Sequence, residues 1–169
     1  MNAAHFHLVV NHLPIIFPMV GVLVMLTGLV FKSDAVKRTA FLLFILGALA
    51  SIVAMNSGEG AEDLVEQIPG ISESFIETHE EAAEVFAILS YILGAAALLG
   101  LWASVKQKSF SNMLNLGVLV FSLVVLFFGK ETGTTGGEIR HTEIREGFQP
   151  APESGQMETE TGENSEAEH

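Results

Sequence analysis

Four long apolar stretches constrain the fold of this chain more than any other feature of its sequence. They cover approximately residues 8–31, 39–55, 82–102 and 113–129. The first contains no charged residue, and the fourth lies in an uncharged run between Lys108 and Lys130. A helix needs about 20 mostly apolar residues to cross the hydrocarbon core of a bilayer. The pattern therefore predicts an all-α, integral membrane protein that crosses the lipid bilayer four times.

The distribution of charge predicts how these spans are oriented. Basic residues follow the first and third spans: Lys32, Lys37, Arg38, Lys106 and Lys108. Cytoplasmic loops are enriched in lysine and arginine, so both loops are predicted to be cytoplasmic. Residues 59–84 carry only acidic charge. We therefore expect an antiparallel four-helix bundle in a bacterial inner membrane, with both termini in the periplasm.

The composition excludes several classes of function. The chain has no cysteine, which rules out disulfides, iron–sulfur clusters, thiolate metal sites and haem attached through cysteine. Its formal net charge of −12 argues against a nucleic-acid partner. Residues 1–145 form the predicted transmembrane domain, and the acidic, polar residues 146–169 are predicted to be a disordered tail.

Histidines mark one end of the predicted bundle. His5, His7 and His12 open the first span, His79 precedes the third, and His141 follows the fourth. The predicted topology places all five at the periplasmic surface. Imidazole is a common ligand of haem iron, zinc and copper, so these residues form a candidate site.

A haem b site needs two axial histidines on facing helices. The pattern offers His7 or His12 from the first span together with His79 from the third, and His141 as a competing partner. We favour His12 with His79, because a rise of about 1.5 Å per helical residue places His12 deepest in the cluster. Pro14 and Pro18 predict a bend in the first span near His12.

Two other interpretations use the same residues. Glu84 lies one turn into the third span, where an unpaired carboxylate is costly. It can pair with Arg140, or it can join a zinc, copper or non-haem iron site with the five histidines. Alternatively, the histidines only make hydrogen bonds between helices in a structural subunit of a larger membrane complex.

The last span is followed by a segment rich in glycine and polar residues. Gly133, Gly136 and Gly137 are positions where the helix can end and the chain can turn back. We expect residues 133–145 to pack over the outer mouth of the bundle, which would bring His141 towards the other histidines.

Four short motifs resemble the DUF2231-type family of bacterial four-helix membrane proteins up to about Arg145. They are His7-Leu-Val-Val-Asn-His12-Leu-Pro14, Ser57-Gly-Glu-Gly-Ala-Glu62, His79-Glu-Glu-Ala and Gly136-Gly137-Glu-Ile-Arg-His141. Such proteins are associated with respiratory or cytochrome-containing systems. The resemblance implies a redox-linked membrane role, as an electron-transfer or binding protein rather than a self-contained enzyme. Its partners would be a periplasmic cytochrome, a quinol or a respiratory-complex subunit.

Overall fold

The computed structural model describes residues 2–149, and this part of the chain is helical without a strand. Its elements are α1 (Ala3–Val10), α2 (Leu13–Val30), α3 (Asp34–Val65), α4 (Glu73–Val105), α5 (Ser111–Glu138) and a 3₁₀ turn at Thr142–Ile144. The prediction of an all-α fold is confirmed. Residues 150–169 of the predicted tail lie outside the described residues.

Four helical segments are long and apolar enough to cross a membrane, judged by length and composition. They are Ala3–Val30, which joins α1 and α2, and the single helices α3, α4 and α5. The prediction of four long apolar helices is confirmed. Each helix continues beyond its apolar stretch, because flanking residues such as alanine and glutamate also favour helix.

The first segment is interrupted between α1 and α2, as the prolines predict. Asn11 ends α1, where its N–H donates to the His7 carbonyl at 2.8 Å, and Pro14 lies in the first turn of α2. Proline has no N–H and fits the start of a helix, so α2 begins anew here. Helix α1 packs against α3, as α2 does.

The four long segments form a closed ring of contacts. Helix α3 packs against α2 and α4, and α5 packs against α4 and α2. Glycines occur where side chains of a neighbouring helix come closest. A Cβ atom at Gly47 would lie 2.8 Å from Pro18 Cδ, and one at Gly94 would overlap Ala48 Cβ. Small residues at these positions let the helix backbones approach closely.

The core and the outer surface of the ring are both apolar. Fully buried side chains fill the centre: Met25, Phe41, Phe44, Leu93 and Val125. Large apolar side chains also cover the outside, including Leu23, Ile88 and Phe127, which are 61, 58 and 64% exposed. Soluble proteins rarely expose so much contiguous apolar surface, so this exterior is compatible with a lipid environment.

An arginine joins α3 to α4 at the end of the bundle opposite the candidate histidine site. Arg38 donates from Nε to Ser104 Oγ at 3.0 Å and from Nη2 to the Ser104 carbonyl at 2.9 Å. The last carbonyls of a helix lack intrahelical partners, so this contact also caps the end of α4.

The close contact at Gly94 yields a stability prediction. We expect Gly94→Val to destabilise the protein by about 1–3 kcal/mol, because its side chain would overlap Ala48 and force the helices apart. Gly117→Val is the matched control, since a Cβ there meets nothing within 4 Å. Thermal unfolding in detergent measures both, and equal melting temperatures for the two variants would contradict the packing.

Candidate functional site

The His7 ring is held by a hydroxyl group of the neighbouring helix. His7 is half-buried between α1 and α3, with its Nδ1 atom 2.9 Å from Ser57 Oγ. The Ser57 hydroxyl donates its proton to the Ala54 carbonyl at 2.9 Å. Ser57 Oγ therefore accepts a hydrogen bond from His7 Nδ1–H. This assigns the tautomer of neutral His7 and leaves a lone pair on Nε2.

The His79 ring is held in the same way by α5. His79 is half-buried on α4, and its Nδ1 atom lies 3.2 Å from Thr135 Oγ1. The Thr135 hydroxyl donates to the Thr132 carbonyl at 3.1 Å, so its oxygen accepts from His79 Nδ1–H. Neutral His79 therefore also keeps a lone pair on Nε2.

Both rings lie at the same end of the bundle although they belong to different helix pairs. Glycine provides space beside each ring. A Cβ at Gly136 would lie 2.9 Å from His79 Cε1, and one at Gly58 would lie 3.7 Å from His7 Cε1. Any larger residue at position 136 would displace the His79 ring.

A second threonine fixes the helix that carries Thr135. Thr132 Oγ1 lies 3.0 Å from the Ala82 carbonyl of α4 and 3.0 Å from the Phe128 carbonyl of its own helix. Thr132 and Thr135 are three residues apart, so both face α4. Together they set the position of α5 relative to His79.

The other three candidate histidines are exposed. His5 lies on the outer side of α1, and His12 lies at the break between α1 and α2 as the N-cap of α2. His7 and His79 are half-buried and hydrogen-bonded, whereas His12 is exposed. A spacing of five residues places His7 and His12 about 140° apart around an ideal helix, so they do not share a face.

His141 makes a local contact outside the bundle. Its Nδ1 atom lies 2.8 Å from Glu143 Oε1, and both side chains are exposed. The Glu143 backbone N–H and then this contact with His141 hold the pKa of the Glu143 carboxyl below its usual range. Glu84 and Arg140 are also exposed, and no ion pair joins them within residues 2–149.

The segment after α5 folds back onto α4. The helix runs through all three candidate glycines to Glu138 before the chain turns. Arg145 then donates from Nε to the Glu138 carbonyl at 2.8 Å, and its guanidinium lies 3.9 Å from the ring centroid of Phe75. A cation over an aromatic face is attractive, so Arg145 attaches this segment to the first turn of α4.

Sequence reasoning did not identify the hydroxyl groups that orient the rings. Ser57 opens one of the family-like motifs but gave no sign of bonding a histidine, and Thr132 and Thr135 belong to no motif. The spacing of the two threonines could have indicated their role, because residues three apart lie on one face of a helix. This inference requires that α5 continue past Gly133, as it does in the structure.

The donor set of the site has two members. His7 and His79 each offer a neutral imidazole whose Nδ1–H is already engaged, which is the usual state of a histidine that binds a metal through Nε2. Among the residues that the structure describes, no group of three or more histidine, aspartate or glutamate side chains is placed to hold a metal ion. Structural zinc takes four protein ligands, whereas haem b takes two axial ones.

Comparisons with family models, with curated proteins and with solved structures find no match to this chain.

Thr135→Val should weaken the site without removing its histidine. It leaves His79 Nδ1–H without its acceptor at nearly the same side-chain volume, so we expect a loss of about 1 kcal/mol in stability. Thr134→Val is the control, because the exposed Thr134 hydroxyl bonds only to the Lys130 carbonyl of its own helix. Thermal unfolding gives the stability, and histidine ¹⁵N spectra report the tautomer. A His79 tautomer protonated on Nε2 in the unaltered chain would contradict the assignment.

Proposed function

We propose that this chain is a multi-pass protein of the bacterial inner membrane with an antiparallel four-helix bundle and periplasmic termini. The apolar exterior supports a lipid setting. The contact pairs support antiparallel packing, since Arg38 meets Ser104 whereas Ala48 lies beside Gly94 further along α3. The basic loops support the orientation. The motif order supports membership in the DUF2231-type family.

We further propose that the outer end of this bundle binds haem b through His7 and His79. The observation that carries the proposal is the matched pair of hydrogen-bonded rings. In each, Nδ1–H donates to a hydroxyl that is itself anchored to a backbone carbonyl. Both Nε2 lone pairs are therefore available, and two such donors complete the axial set of a haem.

The residues of the chain would orient and tune such a group. A bound haem b supplies one-electron transfer. Ser57 and Thr135 fix the ring planes of the ligands and, by accepting from Nδ1–H, make each imidazole a better donor. The position of the pair at the predicted periplasmic end suits exchange of electrons with a periplasmic cytochrome or a quinol, and delivery to a respiratory-complex subunit.

A non-haem zinc, copper or iron site is supported less well. It would draw on His5, His12, His141 or Glu84, whose side chains are exposed. Zinc sites usually employ at least three protein ligands, and His7 and His79 supply two.

A structural subunit is the second candidate, and one observation favours it. The same hydrogen bonds join α1 to α3 through His7 and α4 to α5 through His79. Such bonds between membrane helices contribute about 0.6 kcal/mol on average in themselves. The histidines would then serve assembly alone.

Absorption spectroscopy separates these candidates. We expect protein expressed with ample haem and purified in detergent to show a Soret band that shifts on reduction. His7→Ala and His79→Ala should each abolish it, because each removes one axial ligand. His12→Ala and His141→Ala are matched controls that should retain the band. A wild-type protein without a Soret band would refute haem binding.

Replacement by glutamine tests the structural candidate. Glutamine keeps a hydrogen-bond donor at each position but lacks the imidazole ligand. A bis-histidine haem site predicts that His79→Gln folds with little loss of melting temperature and loses the haem spectrum. If His79→Gln retains both the fold and all associated activity, the histidines are structural.

Reporter fusions test the topology. A reporter active only in the periplasm should be active when fused after Gln149 or within the loop between α3 and α4. It should be inactive when fused after Lys32 or Lys108, in the basic loops. The reverse pattern would place the histidine pair at the cytoplasmic surface and would exclude a periplasmic redox partner.

A further inference from the structure

The hydroxyl of Ser90 lies in the core of the bundle, in the middle of α4. Ser90 is 1% exposed, and Ser90 Oγ has no hydrogen-bond partner within the described residues 2–149. Burying an unpaired hydroxyl costs free energy, and buried polar groups without a protein partner usually bond to ordered water. The surroundings of Ser90 therefore indicate what it binds.

A second buried serine faces this position from α3. The contact between Ala48 and Gly94 fixes how α3 lies against α4. Ser51 follows Ala48 by one turn on the same face of α3, and Ser90 precedes Gly94 by one turn on the same face of α4. Both serines therefore lie one turn from that contact, towards the histidine end. Ser51 is 2% exposed, and its hydroxyl donates to the Gly47 carbonyl at 3.1 Å. The Ser51 oxygen therefore keeps lone pairs that can accept.

The third polar group is a backbone carbonyl of α2. Pro18 packs on Gly47, with its Cδ 2.8 Å from the position of a Cβ there. Pro18 has no N–H, so the carbonyl of Pro14 lacks the donor that a regular helix would supply. Pro14 lies one turn before Pro18 on α2, and Ser51 lies one turn after Gly47 on α3. Pro14 is also fully buried. The Pro14 carbonyl therefore lies near the level of Ser51.

We propose that the core holds an ordered water molecule among Ser90, Ser51 and the Pro14 carbonyl. The water accepts from the Ser90 hydroxyl and donates to the Ser51 oxygen and to the Pro14 carbonyl. Buried waters typically make about three hydrogen bonds to groups of this kind. This water stabilises α2 next to the proline break and so helps to hold α1, with His7, against α3. The inference does not depend on a bound haem.

Thermal unfolding of the full chain in detergent tests the proposal with a matched pair of variants. Ser90→Ala should lower the melting temperature by about 2–4 °C more than Ser122→Ala, since it removes one partner of the water. Ser122 is equally buried, but its hydroxyl already donates to the Leu119 carbonyl at 2.6 Å. A Ser90→Ala melting temperature equal to or above that of Ser122→Ala would overturn the proposal, because it indicates a dry core with an unpaired hydroxyl.

Direct observation of the wild-type chain gives an independent result. A structure at a resolution that shows ordered waters should contain a density peak within hydrogen-bond distance of Ser90 Oγ and Ser51 Oγ. A packed contact without such a peak, or a Ser90 hydroxyl bonded to a carbonyl of its own helix, would also overturn it.

Discussion

The close approach of helices at small residues is the constraint on which the rest of this structure depends. Helices with apolar exteriors gain little from hiding apolar surface when lipid surrounds them, so packing contacts have to hold them together. Gly47 admits Pro18, Gly94 admits Ala48, and Gly100 admits the ring of Phe41. These contacts fix the helix positions, and the helix positions decide which histidines are held between helices.

The positions of the two histidines follow from that packing. Helix α1 lies along α3 in the register that α2 sets, since Pro18 lies on Gly47 and His7 reaches Ser57. On the other side of the bundle, the length of α5 brings Thr135 to His79. The hydroxyl groups then orient both rings through Nδ1 and leave Nε2 available, which is the chemical property that the proposed haem site requires.

Much of the fold was predictable because it depends on local sequence. The uncharged stretches give the four long helices, Pro14 gives the break, and glycine spacing gives the packing faces. The partner of His79 was not predictable in the same way. Both His7 and His12 were candidates in the sequence, and the favoured His12 is exposed in the structure whereas His7 is half-buried. The sequence predicted that α5 could end at Gly133, Gly136 or Gly137. Thr135 was therefore not expected to lie in this helix next to His79.

The central claim is that His7 and His79 supply both axial ligands of one haem. Low-temperature electron paramagnetic resonance of the oxidised, haem-loaded protein tests it most directly, because the ferric spectrum reports the number and type of axial ligands. A haem held by His7 and His79 predicts a low-spin signal typical of two imidazoles. The signal should be retained in His12→Ala and lost in His7→Ala and in His79→Ala. A low-spin signal that persists in His7→Ala or in His79→Ala would contradict it, as would the absence of any haem signal from the wild-type protein.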